Sequence, residues 1–193
     1  PSAYLTPGQL AVKAALVLTS PYTPMLFMGE EWGASTPFRY FTSHPEPELA
    51  AAVVEGRRRE FAEHGWDAED VPDPQDPETF LGSKLRWDER DEEGHARLLA
   101  CYRDLIALRR DRCELTDPWI EHVHVTYDED ERWIVVHRGD LRVACNLGPE
   151  TVTVPVGGRP LLWWDEPVVN HTGSAVDVPG HSFVVLEAPE ASA

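Results

Sequence analysis

The sequence is short of lysine, cysteine and long apolar runs, and each shortage excludes something. Only Lys13 and Lys84 among its 17 basic residues are lysine, and 34 acidic residues bring the formal charge to −17. A field of that sign repels phosphate backbones and anionic lipid surfaces, so neither nucleic acid nor a membrane is expected as a partner. The preference for arginine reads as a coding bias. The longest apolar stretch, Ala14 to Leu18, is far too short to span a bilayer. The chain opens on Pro1 with no basic segment leading into an apolar run, so no signal peptide is expected. Cys101, Cys113 and Cys145 are widely spaced and odd in number. They form no disulfide framework and no Cys-x-x-Cys metal pair, and they fit a reducing, cytoplasmic setting.

Several chemistries are missing as well. There is no Gly-x-Gly-x-x-Gly and no P-loop, and no cofactor is expected. Gly180-His181-Ser182 is not a nucleophile elbow. Asp128 to Glu131 lacks the spacing and glycine of a calcium loop and reads as a solvated hairpin tip. His122 and His124 share a strand face without a third ligand, so no metal is expected. Asn170-His171-Thr172 matches the glycosylation triplet but carries little weight without a secretory signal.

What is present is enough for a packed core: 193 residues, 42% hydrophobic and 26% charged. The character changes near residue 115. Residues 1–113 read as helices with one buried strand, and residues 118–188 as short strands and turns. Thr6, Pro7 and Gln9 make a capping box with proline at the first helical position. That helix must stop before Ser20-Pro21. The run Pro24-Met25-Leu26-Phe27-Met28-Gly29 does not alternate and suits a strand covered on both faces. Further helices are expected over about Glu48–Glu63 and Gly94–Arg110. Between them Asp67 to Asp91 is long for a plain connection. Beyond residue 118, alternation at Val123/Val125/Tyr127, Leu141/Val143/Cys145 and Val152/Val154/Val156 predicts strands with one buried face. Gly139-Asp140 reads as a hairpin turn, and six or seven short strands suggest a small antiparallel sandwich. The last residues, Pro189 to Ala193, read as a frayed end.

Three segments carry candidate chemistry. Gly29-Glu30-Glu31-Trp32-Gly33 follows the buried strand, and residues just past the end of a parallel strand face the ligand site. One of the two carboxylates could instead pair with an arginine and fix the loop. Thr36 to His44 gathers Phe38, Arg39, Tyr40, Phe41 and His44, the mixture of rings and polar tips that a sugar site uses, or an aromatic plug under a loop. In Asp73-Pro74-Gln75-Asp76-Pro77, Asp76 reads as a helix cap, leaving Asp73 and Gln75 for contacts. Arg57-Arg58-Arg59 reads as a solvated helix face paired with nearby glutamates.

These residues carry a resemblance. Pro21 to Gly33 resembles the eighth barrel strand of the α-amylase family, glycoside hydrolase family 13, whose form is Gly/Ser-x-Pro-x-x-x-x-Gly-x-Glu. Thr36-Pro37-Phe38, Tyr40 to His44, Glu55 to Phe61, Pro72 to Phe80, Ser83-Lys84-Leu85 with Trp87, and Tyr102 to Arg110 narrow it to the trehalose-releasing hydrolases of that family. The resemblance covers residues 4–112 well, and the sandwich in kind only.

It implies an α/β plus all-β architecture, the C-terminal part of a (β/α)8 barrel followed by a small antiparallel β-sandwich domain. Residues 1–113 would be the last helix–strand–helix portion of the barrel and 117–190 the sandwich. Such a barrel needs about 250 residues by itself, so the chain is expected to be a part. The implied activity is hydrolysis of the α-1,4 bond next to the terminal trehalose unit of malto-oligosyltrehalose, or a related α-glucan, by two carboxylates with retention. Those carboxylates lie on earlier strands, so no catalytic residue is assigned here. The chain alone is expected to be inactive, its partner being the upstream part of its own barrel. Glu31, Trp32, Arg39, Tyr40, Phe41 and His44 would line the rim at strand eight, with Asp73, Gln75 and Asp76 in the loop beyond. The competing readings are a branching or debranching enzyme of the same family, and a non-catalytic glucan-binding module. Alone, residues 1–112 are expected to be unstable, while 115–190 are expected to be able to fold.

Overall fold

The computed structural model describes residues 2–63, 65 and 71–188. The expected frayed end at 189–193, and 67–70 of the expected long connection, lie outside the described residues. Helix α1 (Pro7–Thr19) starts as its capping box dictates. Thr6 Oγ1 accepts from the Gln9 backbone N–H at 3.3 Å, and Gln9 Oε1 accepts from that of Thr6 at 2.9 Å. Ser20 is extended before Pro21 and ends it. Helices α2 (Pro47–Glu63) and α4 (Glu93–Asp111) fall within three residues of the expected spans at every end. The long connection between them carries α3 (Pro77–Leu81), capped by Asp76, and a 3-10 turn at Trp87–Asp91. A short α5 (Cys113–Thr116) leads into the strands.

Eight strands follow, not six or seven. They are β1 (Val123–Asp128), β2 (Trp133–Arg138), β3 (Leu141–Asn146), β4 (Val152–Val154), β5 (Arg159–Trp163), β6 (Val168–Val169), β7 (Val176–Val178) and β8 (Phe183–Glu187). They form a five-stranded sheet, β1-β2-β3-β8-β5, and a three-stranded sheet, β4-β7-β6, and every pairing is antiparallel. The β2–β3 hairpin turns on Gly139-Asp140 as expected.

The chain divides into two compact units: residues up to Gly33 together with those from Asp88 onward, and Ala34–Trp87. The first unit is layered. Leu141, Val143, Cys145, Phe183 and Val185 on one face of the larger sheet share a core with Leu10, Ala14 and Leu18 of α1 and Leu98, Tyr102 and Leu105 of α4. The other face, through Val135, Ala144, Val184 and Leu186, packs on Val152, Val154, Val176 and Val178 of the smaller sheet. The central strands β3 and β8 are therefore covered on both sides, where the alternation of β3 predicts one buried face. Leu141, Val143 and Cys145 of β3 share one face as their alternation predicts, and Ala144 on the other face is small enough to lie under the second sheet. At the start of α1, a Cβ on Gly8 would stand 2.3 Å from the His181 carbonyl oxygen, so the helix approaches the β7–β8 connection as only glycine permits.

Burial also decides the cysteines. Cys145 is fully buried and Cys101 nearly so, and loss of solvation pushes each thiol up to about 12, with Asp104 adding to the effect at Cys101. Cys113 is exposed. One thiol per folded chain should therefore react rapidly with an aromatic disulfide reagent at pH 8, and three after denaturation. A second fast thiol in the folded chain would contradict this packing.

The expected buried strand is the clearest departure. Residues 24–28 make no strand pairing, and Met25, Leu26, Phe27 and Met28 are all exposed, Met25 at 88%. A strand buried on both faces needs neighbours at both edges and layers above and below, and the described chain supplies none of them.

Candidate functional site

In the first unit the candidate residues sit on a 3-10 turn, Glu30–Trp32, between two glycines in the left-handed region, Gly29 at φ 85° and Gly33 at φ 69°. The turn is pinned from both helices. Glu30 Oε2 lies 3.1 Å from Lys13 Nζ of α1 and accepts from the Phe27 N–H at 3.1 Å. Glu30 Oε1 accepts from the Tyr102 hydroxyl of α4 at 3.2 Å. Burial and the Glu30 charge hold the Tyr102 phenol protonated, well above its ordinary range. The Trp32 carbonyl accepts from His95 Nδ1 at 2.6 Å, in the tautomer that places the proton there. Trp32 itself is 2% exposed and packs as core.

The two adjacent glutamates thus divide their roles. Glu30 fixes the loop, through a lysine rather than the expected arginine, and Glu31 is left partly exposed with no ion pair to a described residue. Alanine at Gly33 would have to adopt the left-handed region, and its Cβ would sit 3.2 Å from Leu98 Cδ2 and 3.3 Å from Leu10 Cδ1. Gly33→Ala should lower stability by about 1–2 kcal/mol from the backbone alone, read as a lower urea midpoint.

The Ala34–Trp87 unit holds the remaining candidates. Phe41 is the aromatic plug: its ring meets Phe38 edge-on at 5.9 Å and Phe80 at 5.0 Å. Tyr40 stays exposed, and the Arg57 guanidinium lies 4.6 Å from its ring centre and 4.6 Å from that of Phe61. Arg57 Nη1 also donates to Glu60 at 2.8 Å, so this member of the arginine run pairs with a nearby glutamate as expected. Phe38, Arg39, Tyr40, Arg57, Phe61 and Pro72 line most of a cleft of about 390 Å³. The Arg39 backbone N–H donates to Ser83 Oγ at 3.1 Å, and the residue is exposed.

The loop 73–76 is tied to the aromatic loop from within the same unit. Gln75 Oε1 accepts from the His44 N–H at 3.0 Å, Gln75 Nε2 donates to Thr42 Oγ1, and the Thr42 N–H donates to the Pro74 carbonyl at 2.8 Å. The amide of Gln75 is therefore engaged at both ends, which corrects the expectation that it is free for contacts. Asp73 Oδ1 accepts from the Gln75 N–H at 2.8 Å. Asp76 Oδ1 accepts from the Glu78 N–H at 2.9 Å as the cap of α3, as expected. A second hollow, about 480 Å³, is lined by Val54, Glu55, Arg58, Asp73 and Gln75 among others.

Sequence reasoning missed Lys13, Tyr102, His95 and Arg57 as supports. No spacing connects them to the loops they hold; the tertiary fold does. Among the described residues no group of three or more His, Cys, Asp or Glu could hold a metal ion. His122 pairs with Asp117 at 2.6 Å, whose hydrogen bond raises its pKa, and the His124 ring meets that of His137 at 5.3 Å. No helix among the described residues is long and apolar enough to cross a membrane.

With this geometry in place, the comparisons with known proteins are direct. A family model described as a domain of unknown function, DUF3459, matches residues 118–185. The malto-oligosyltrehalose trehalohydrolase of Mycobacterium tuberculosis (strain H37Rv) is 57% identical over 190 residues, 98% of this chain and 32% of that protein. That of Rhizobium sp. (strain M-11) is 49% identical over 179 residues, 93% of this chain and 30% of its own length. A crystal structure from Salmonella typhimurium, described as an alpha amylase, superposes with a TM-score of 0.76 at 35% identity over 94% of this chain and 31% of that one. The chain spans about a third of the length of the curated relatives that it matches.

Proposed function

We propose that this chain is the C-terminal portion of a malto-oligosyltrehalose trehalohydrolase of the α-amylase family, carrying the last helix–strand–helix of its barrel and the sandwich that follows. In this reading the whole enzyme hydrolyses the α-1,4 bond next to the terminal trehalose unit of malto-oligosyltrehalose, releasing trehalose by a retaining, two-carboxylate mechanism. The catalytic carboxylates belong to upstream strands, and this chain alone is inactive. Residues 1–113 belong to the barrel and 117–190 to the sandwich, in a protein that works in the cytoplasm.

One observation carries the reading. Residues 24–28 are apolar and join neither sheet, with Met25 to Met28 exposed, in a chain that is 57% identical over nearly its whole length to a protein three times as long. A segment of that kind is the missing strand of a larger sheet. The two thirds of that relative lying outside the match are more than long enough to hold the rest of a barrel.

Glu31 in the first unit, and Arg39, Tyr40, His44 and Asp73 in the second, are the proposed sugar contacts. Trp32, Phe41, Gln75 and Asp76 support the loops that carry them. The neutral substrate is compatible with the −17 charge, which would repel an anionic one.

The test is product analysis with the full-length protein that includes this chain. Given maltotriosyltrehalose, it should yield trehalose and maltotriose in equal amounts. A debranching or branching enzyme would leave this linear substrate without trehalose release. A glucan-binding module would retain it uncut. Either result overturns the proposal.

A further inference from the structure

We propose that Glu30 is a positioning residue for the trehalohydrolase reaction, acting through Glu31. This rests on the functional reading above. The side chain of Glu30 is only 15% exposed, and both of its oxygens are engaged: Oε2 with Lys13 Nζ and the Phe27 N–H, and Oε1 with the Tyr102 hydroxyl. One carboxylate thereby joins α1, the end of the apolar segment 24–28, and α4.

The far end of the turn is fixed independently. The Gly33 N–H donates to the Glu30 carbonyl at 3.1 Å, and the Trp32 carbonyl is held by His95 at 2.6 Å. Glu31 stands between two clamped neighbours, its own carboxylate paired with no described residue. A polar group presented this way needs no reordering when a hydroxyl ligand arrives, so the affinity it provides is not spent on fixing a loop. Gln at position 30 would keep a hydrogen-bond acceptor and lose the Lys13 ion pair. The anchor then loosens while the fold around it persists.

The experiment is a double-mutant cycle in the full-length protein, measuring kcat and KM for trehalose release from maltotriosyltrehalose. Glu31→Gln and Glu30→Gln should each raise KM by roughly tenfold and leave kcat within about twofold, the pattern of lost ground-state binding. Combined, they should raise KM little beyond either one, because both remove the same contact. A residue that merely stabilised the fold would lower the melting temperature and leave KM of the folded enzyme unchanged.

Two results would overturn the proposal with the functional reading intact: an unchanged KM in Glu30→Gln, or single effects that multiply to about a hundredfold in the double variant. A wild-type protein that releases no trehalose overturns the functional reading, and this inference with it. If Glu30→Gln does not fold, Tyr102→Phe, which removes one of the same bonds, carries the cycle with Glu31→Gln and is expected to show the same non-additivity.

Discussion

Residues 115–188 produced alone should give an associating, partly folded polypeptide, and not a monomer with a cooperative melt. Alternation in the sequence suggests the opposite, a self-sufficient sandwich. The structure reverses that expectation because the larger sheet has two buried faces. Leu141, Val143, Cys145, Phe183 and Val185 are each fully buried, and they share their core with α1 and α4. Without those helices, their side chains face water. At roughly 1.5–3 kcal/mol for each large apolar side chain, the loss is on the order of 10 kcal/mol. That is comparable to the whole stability of an ordinary domain. An apolar patch of this size also promotes self-association. Gel filtration with urea unfolding reads the outcome. A monomeric segment with a sharp transition would show that the helices are dispensable.

Met25→Asp should behave in opposite ways in two settings. In the 193-residue chain Met25 is 88% exposed and unpaired, so the change should alter unfolding free energy by no more than about 0.5 kcal/mol. In the full-length protein the same residue is proposed to lie within the barrel sheet, covered on both faces. An aspartate there is a buried charge without a partner, expected to cost more than about 3 kcal/mol and to abolish soluble expression or activity. Comparable small effects in both proteins would place residue 25 on the surface of the intact enzyme and remove the barrel-strand assignment.

Local signals were well encoded in the sequence. The capping box at Thr6–Gln9, the Asp76 cap and the Gly139-Asp140 hairpin appear where the residues require them, because each depends on neighbours within a few positions. Signals that depend on distant partners were not. The run at 24–28 announces a buried strand, and it does so faithfully for a fold whose other strands lie elsewhere. Here it meets solvent. The two-sided burial of β3 was hidden because Ala144 and Asn146 look like an exposed face. Ala144 is buried by the second sheet, and Asn146 is satisfied by the carbonyls of Glu150, Val178 and Pro179.

The candidate site was legible in the same uneven way. The residue types in 36–44 and 73–76 pointed to a polar and aromatic loop pair, and the structure ties the two loops together through Gln75. The division of labour between Glu30 and Glu31 could not be read, since it is decided by Lys13 and Tyr102, 17 and 72 positions away from Glu30. The low lysine count hid the ion pair further, because arginine was the expected partner.

The most direct measurement sets the 193-residue chain beside the full-length protein, each given maltotriosyltrehalose, with trehalose quantified over time. The account predicts steady release by the full-length protein and none by the chain at any concentration. Trehalose released by the chain alone, or none released by the full-length protein, would contradict it.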